Sequence, residues 1–172
     1  MKKARPGFTL IELIITILML VVLVGVSAFV FRAVLLSWSS QETRAGIDIV
    51  LDRGIEEMVR DLRKARQVQS INNDELRFTQ DQSAYYIYYF YNTNDSYPPS
   101  FNQSLYQLRK AALSAGISGT FTYGSGPIII TDVLPPAVSD LSISAKLVTL
   151  DLSIKRNDET IRSRTQVRPR NL

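Results

Sequence analysis

Pro6-Gly7-Phe8-Thr9-Leu10-Ile11-Glu12-Leu13-Ile14-Ile15-Thr16-Ile17-Leu18-Met19-Leu20-Val21-Val22-Leu23-Val24-Gly25-Val26-Ser27-Ala28-Phe29-Val30-Phe31-Arg32 decides how the rest of the chain is read. The 19 positions from Leu13 to Phe31 carry no charge. As a helix they span roughly 28 Å, close to the hydrocarbon thickness of a bilayer. Lys2, Lys3 and Arg5 precede the run, and this basic flank orients the N-terminus toward the cytoplasm. Glu12 stands inside the apolar run, where a carboxylate near hydrocarbon costs about 2.5–3.5 kcal/mol and therefore calls for a partner.

Three readings fit the length. A secretory signal peptide cut before Phe29 would use Val26-Ser27-Ala28 as its small-residue site, but the stretch is long for one and carries Glu12. A plain bitopic anchor explains the length and the flank and leaves Glu12 without a reason. The third reading comes from Gly7-Phe8-Thr9-Leu10-Ile11-Glu12 behind a short basic leader, which resembles the cleavage and assembly motif of type IV pilins and of the pseudopilins of type II secretion. That resemblance implies cleavage between Gly7 and Phe8 by a membrane-embedded prepilin peptidase and N-methylation of Phe8. It also implies a subunit-assembly role for Glu12, with Lys2, Lys3 and Arg5 as the charges of the leader. Electrostatics supply an independent reason. The new amine at a helix N-terminus is cationic, and a carboxylate about one turn along a neighbouring helix neutralises it, relieving two desolvation costs together. Snorkelling of Glu12 to the interface is the plainer alternative.

The totals leave room for one span and one modest domain in 172 residues. Three of the 20 basic side chains lie in residues 1–7; without them 17 basic residues face 16 acids, so the basicity belongs mainly to the leader. No Cys and no His occur, which excludes disulfides, thiolate nucleophiles, imidazole bases and the usual zinc ligand sets.

No proline lies between Pro6 and Pro98, so nothing forces the helix to stop at the membrane surface, where Trp38 among Ser37, Ser39 and Ser40 suits the interface. Ile47, Leu51, Ile55, Met58, Leu62 and Ala65 recur at helical spacing and form one apolar face. Asp48, Asp52, Arg53, Glu56, Glu57, Arg60, Asp61, Arg63 and Lys64 read as the solvated remainder. The expectation is one helix from about Phe8 to about Arg66, on the order of 90 Å long, with Gly25, Gly46 and Gly54 as places to bend.

Past Val68 the period changes. Leu76–Thr79 alternates, Asp81-Gln82-Ser83 reads as a turn, and Ala84 to Tyr91 reads as a strand with both faces covered. Stacking of that aromatic run on nucleic acid would need interleaved basic residues, and none lies between Arg77 and Arg109. Asn72-Asn73-Asp74-Glu75 reads as a polar hairpin turn rather than a calcium loop. Further strands are expected at Leu105–Arg109 and Ile128–Ile130, with residues 116–126, holding four of the eight glycines, as a mobile or long connection. Val148, Leu150, Leu152 and Ile154 alternate with polar residues, Asn157-Asp158 make a turn, and Thr160 to Val167 returns as a hairpin strand. Arg162, Arg164 and Arg168 face out from it as a solubilising edge, a surface for an acidic partner, or a phosphate contact. Asp132, Asp140, Asp151, Asp158 and Glu159 fall at turns or outward strand positions and suggest no acid/base pair. A membrane-anchored envelope enzyme or binding module therefore remains only as the alternative of another class.

Leu51 through Ala65, Leu105-Tyr106, Leu134-Pro135-Pro136-Ala137-Val138 and Arg170-Asn171 are similar to landmarks of J-type minor pseudopilins and W-type minor pilins, with Gln107 where that family commonly has Arg. The implied layout is α+β and pilin-like, a long N-terminal helix packed on a C-terminal antiparallel sheet. Its segments would be a leader (1–7), a transmembrane and assembly helix (8–36), its amphipathic continuation (37–67) and a β-rich periplasmic head (68–172). The implied role is assembly or tip formation in a type II secretion-like pseudopilus, with a minor pilin of a type IV pilus as the alternative. The implied partners are prepilin peptidase, other minor and major pseudopilins or pilins, an inner-membrane assembly platform and the membrane itself. No cofactor, metal, small-molecule substrate or nucleic acid is expected.

Overall fold

A helix of 55 residues, α1 (Leu10–Lys64), opens the computed structural model, which describes residues 9–72 and 74–170. Gly7 and Phe8 of the expected cleavage site, the leader charges Lys2, Lys3 and Arg5, and Asn73 and Asn171 lie outside the described residues. Helix α1 runs unbroken through Gly25, Gly46 and Gly54 and ends two residues before the expected Arg66. Its last turn tightens as Ala65 N donates to Leu62 O at 3.1 Å, and Arg66 N turns away to Thr79 O at 2.8 Å. The chain forms two compact units that divide between Glu42 and Thr43.

In the first unit every residue from Thr9 to Trp38 is exposed, including Leu, Ile, Val and Phe on all sides of the helix. Helix residues 10 onward are long and apolar enough to cross a membrane, and that apolar stretch is not buried. A helix hydrophobic all round needs lipid or other helices around it.

The second unit builds its core from the remaining turns of α1 and eight antiparallel strands. These are β1 (Gln67–Ile71), β2 (Glu75–Thr79), β3 (Tyr85–Tyr91), β4 (Tyr106–Ala112), β5 (Ile128–Val133), β6 (Asp140–Ser144), β7 (Leu147–Arg156) and β8 (Glu159–Val167). The sheet order is β1-β2-β3-β4-β5-β7-β6, with β8 on the other edge of β7. It curls until β1 lies beside β6, where Ser70 Oγ donates to Leu141 O at 2.5 Å. The six helix residues picked out by spacing are all buried, and they pack with Leu76, Phe78, Tyr88, Phe90, Tyr106, Leu108, Ile130, Val133 and the apolar face of β7. The long helix and curled antiparallel sheet are the α+β, pilin-like layout expected from the sequence.

β1 and β6 escape the alternation rule because they are short and polar. β4 and β5 run to Ala112 and Val133, past their expected ends. The β7–β8 hairpin pairs Arg156 with Glu159 across Asn157-Asp158, with Asn157 at φ 54°. A second, smaller apolar cluster on the far side of β3 and β4 joins Ile87, Tyr89, Ala111 and Leu113 to Tyr85, Tyr91, Phe121 and Tyr123. Both faces of the Tyr-rich strand are thus covered, as its alternation indicated. Residues 116–126 form a long connection that is tied down rather than loose. The Phe121 ring packs tilted against Tyr89 with 4.6 Å between centroids, Tyr89 Oη donates to Ser125 O at 2.7 Å, and the Arg109 guanidinium donates to Gly124 O.

Candidate functional site

Thr9 and Glu12 start the helix together. Thr9 N and Thr9 Oγ1 both donate to Glu12 Oε2 at 2.9 Å, while Glu12 N reaches Thr9 Oγ1 at 3.4 Å. This is a capping box, in which two donors left over at the helix start are satisfied reciprocally. Thr9-Leu10-Ile11-Glu12 has the Thr-x-x-Glu spacing that announces it, a local signal distinct from the intermolecular pairing expected of Glu12. Thr16 Oγ1 donates back to Glu12 O at 2.7 Å. The carboxylate is exposed and held at the helix end, three residues after Thr9 and four after Phe8 in the chain. In this single chain the cap satisfies it.

In the head, Asp61 is buried rather than solvated, which corrects its place on the charged helix face. Its Oδ2 accepts from Lys110 Nζ at 2.5 Å and from Tyr88 Oη at 2.8 Å. Lys110 Nζ also lies 4.9 Å from the Tyr86 ring centroid. Burial first, and then the Asp61 charge, push the Tyr88 phenol far above its usual range, so it stays a neutral donor. Asp61 stands three residues after Met58 and four before Ala65, at the rim of the apolar face, and that spacing was the available sign of its burial.

A second buried network sits on the outer face of β2. Arg77 Nε donates to Glu75 Oε1 at 2.8 Å, and its terminal nitrogens donate to Gly119 O at 3.1 Å and Tyr97 Oη at 3.1 Å. Tyr97 Oη donates to Glu75 Oε2 at 2.8 Å. Glu75, part of the expected polar turn, is instead the first residue of β2 and serves this network. The arrangement fastens the loops at residues 97 and 117–119 onto the sheet. Burial, reinforced by Glu75, raises the Tyr97 phenol, so no activated phenolate arises there.

On the edge hairpin, Arg162, Arg164 and Arg168 are exposed. The first two turn onto Asp151: Arg162 in a fork at 2.7 and 2.8 Å, and Arg164 at 3.8 Å. Asp151 is buried, not solvated, which corrects its assignment to an outward position. It faces Asp140 across β6 and Arg164 across β8, and the two arginines offset the repulsion between the two acids. Hydrogen bonding to Arg162 is the chief cause of a lowered Asp151 carboxyl. Asp132 pairs with Arg156 at 3.0 Å. Among the described residues no group of three or more His, Cys, Asp or Glu side chains is placed to hold a metal ion.

Residues 2–28 match the prokaryotic N-terminal methylation motif. The match supports the type IV pilin-like and pseudopilin class, with the prepilin peptidase processing, pilin assembly, membrane anchoring and structural role of that class. No curated protein and no solved structure matches the chain.

Proposed function

We propose that the chain is a minor pseudopilin of a type II secretion-like system, of the J-type kind, acting in assembly or at the tip of the pseudopilus. It is cut between Gly7 and Phe8, methylated on Phe8, and held before assembly in the inner membrane with its leader in the cytoplasm and its head in the periplasm. The observation that carries this reading is the methylation motif over residues 2–28 leading into a helix whose apolar side chains are all exposed as far as Trp38.

The physical step is a transfer of Glu12 from one partner to another. In the monomer, its carboxylate caps its own helix through Thr9. In the filament, the amine of a neighbouring subunit's first residue takes it. In a low-dielectric bundle neither the amine nor the carboxylate can stay unpaired, so bringing the two together favours assembly. Of the basic strand, Arg168 is left for contact with a partner subunit, since Arg162 and Arg164 are engaged by Asp151.

Mass spectrometry of the native protein tests the processing. The mature chain begins at methylated Phe8 in this account. A chain beginning at Met1, or at Phe29 after signal-peptide cleavage, contradicts it.

A further inference from the structure

Five cations gather where α1 ends. Arg60, Arg63, Lys64, Arg66 and Arg170 line an open groove of about 910 Å³ together with Ile55, Val59, Gln80 and Glu56. Arg170 N donates to Arg63 O at 3.3 Å, which brings the end of the hairpin strand's tail against the last helical turn and closes one wall. All five cationic residues are exposed, and among the described residues none of their side chains meets a carboxylate. Ile55 is buried and Val59 half-buried, giving the groove an apolar floor.

Helix capping does not account for this concentration. The carbonyl end of a helix carries roughly half a negative charge, which one or two basic side chains answer. Elsewhere in the head, Lys110, Arg77, Arg156, Arg162 and Arg44 have carboxylate partners, and among the described residues the cations that lack one are not gathered around a groove of this kind. A cluster of unanswered cations around an apolar floor is therefore a surface awaiting a complement.

We propose that this groove docks an acidic, amphipathic segment of a partner protein, its carboxylates on the five cations and its apolar side chains on Ile55 and Val59. Nucleic acid fits less well, since no aromatic side chain lines the groove to stack a base and its floor is aliphatic. The site lies outside residues 2–28, so its test is independent of the filament reading.

The test uses the full chain in detergent micelles and fluorescence anisotropy of a labelled peptide in which Glu and Asp alternate with Leu at helical spacing. Binding that weakens with salt is expected, with a matched Lys-for-Glu peptide failing to bind. The double variant Arg60→Gln/Arg63→Gln is expected to weaken binding about tenfold. Lys155→Glu, which changes the net charge by the same amount at a distant exposed site, is expected to leave it unchanged. Circular dichroism checks that each variant keeps its fold. Equal binding of the two peptides, equal losses in the two variants, or tighter binding of a single-stranded oligonucleotide or of anionic lipid vesicles overturns the proposal.

Discussion

One helix meets two different solvents in this chain, and its two halves differ accordingly. From Thr9 to Trp38 every residue is exposed although most are apolar; from Ile47 to Ala65 the six-residue apolar stripe is buried, with Ile49 exposed outside it. The second half is stabilised within its own chain by the sheet. The first has no such partner among the described residues and must find it in lipid or in other helices. Division of labour follows: substitutions in the second half should change the stability of the head, and those in the first should change where the protein goes.

Truncating the core is the strongest way to break this comparison. Leu62→Ala should destabilise the head by about 3 kcal/mol through lost burial and a cavity, whereas Leu23→Ala should leave the unfolding midpoint of the head unchanged. Thermal denaturation in micelles, followed by near-UV circular dichroism, measures both. Removing Asp61 comes next. Asp61→Ala strands Lys110 and Tyr88 and should cost about 3 kcal/mol, while Asp61→Leu combined with Lys110→Met should recover most of that loss. The glycines sharpen the contrast further. A Cβ on Gly54 would run into the Ile130 side chain, so Gly54→Val should cost about 2 kcal/mol by overpacking. Gly25 has open space around it, and Gly25→Ala should be neutral for the head.

The smallest effect is a pH dependence confined to the head. Burial alone would raise the Asp95 carboxyl, but donation from Ser100, Ser96 and Tyr106 lowers it to about 2. A depressed folded-state value contributes stability that is complete above the unfolded value of about 4 and is lost as pH falls toward about 2. Asp95→Asn should flatten the acid limb of the melting-temperature profile in that window. An unchanged profile would show that the hydrogen bonds from Ser100, Phe101 and Tyr106 to Asp95 do not stabilise the connection between β3 and β4.

Most of this fold was legible in the residues because its strongest elements are periodic. The apolar run, the six-residue helix stripe, the alternating Tyr strand and the β7–β8 hairpin follow from spacing alone. β1 and β6 were not, because Gln67–Ile71 and Asp140–Ser144 are short, half-polar and stabilised by closure of the sheet rather than by their own pattern. The buried charges were also hidden. Asp61, Glu75 and Asp151 look solvated in sequence because their partners lie 49, 2 and 11 residues away, and only the sheet register brings most of them together. At the N-terminus the reverse holds: Glu12 stands out as the one acid in the apolar run, which hides the ordinary local cap it makes with Thr9, three residues away.

Glu12 is the one acid in the apolar first half, and the most direct measurement is the fraction of a Glu12→Leu variant recovered in sheared filaments from its native host. The account predicts normal insertion, normal processing and an unchanged head melting temperature, with recovery in filaments falling at least about tenfold for want of a charge partner. Recovery equal to that of the unaltered protein would contradict it.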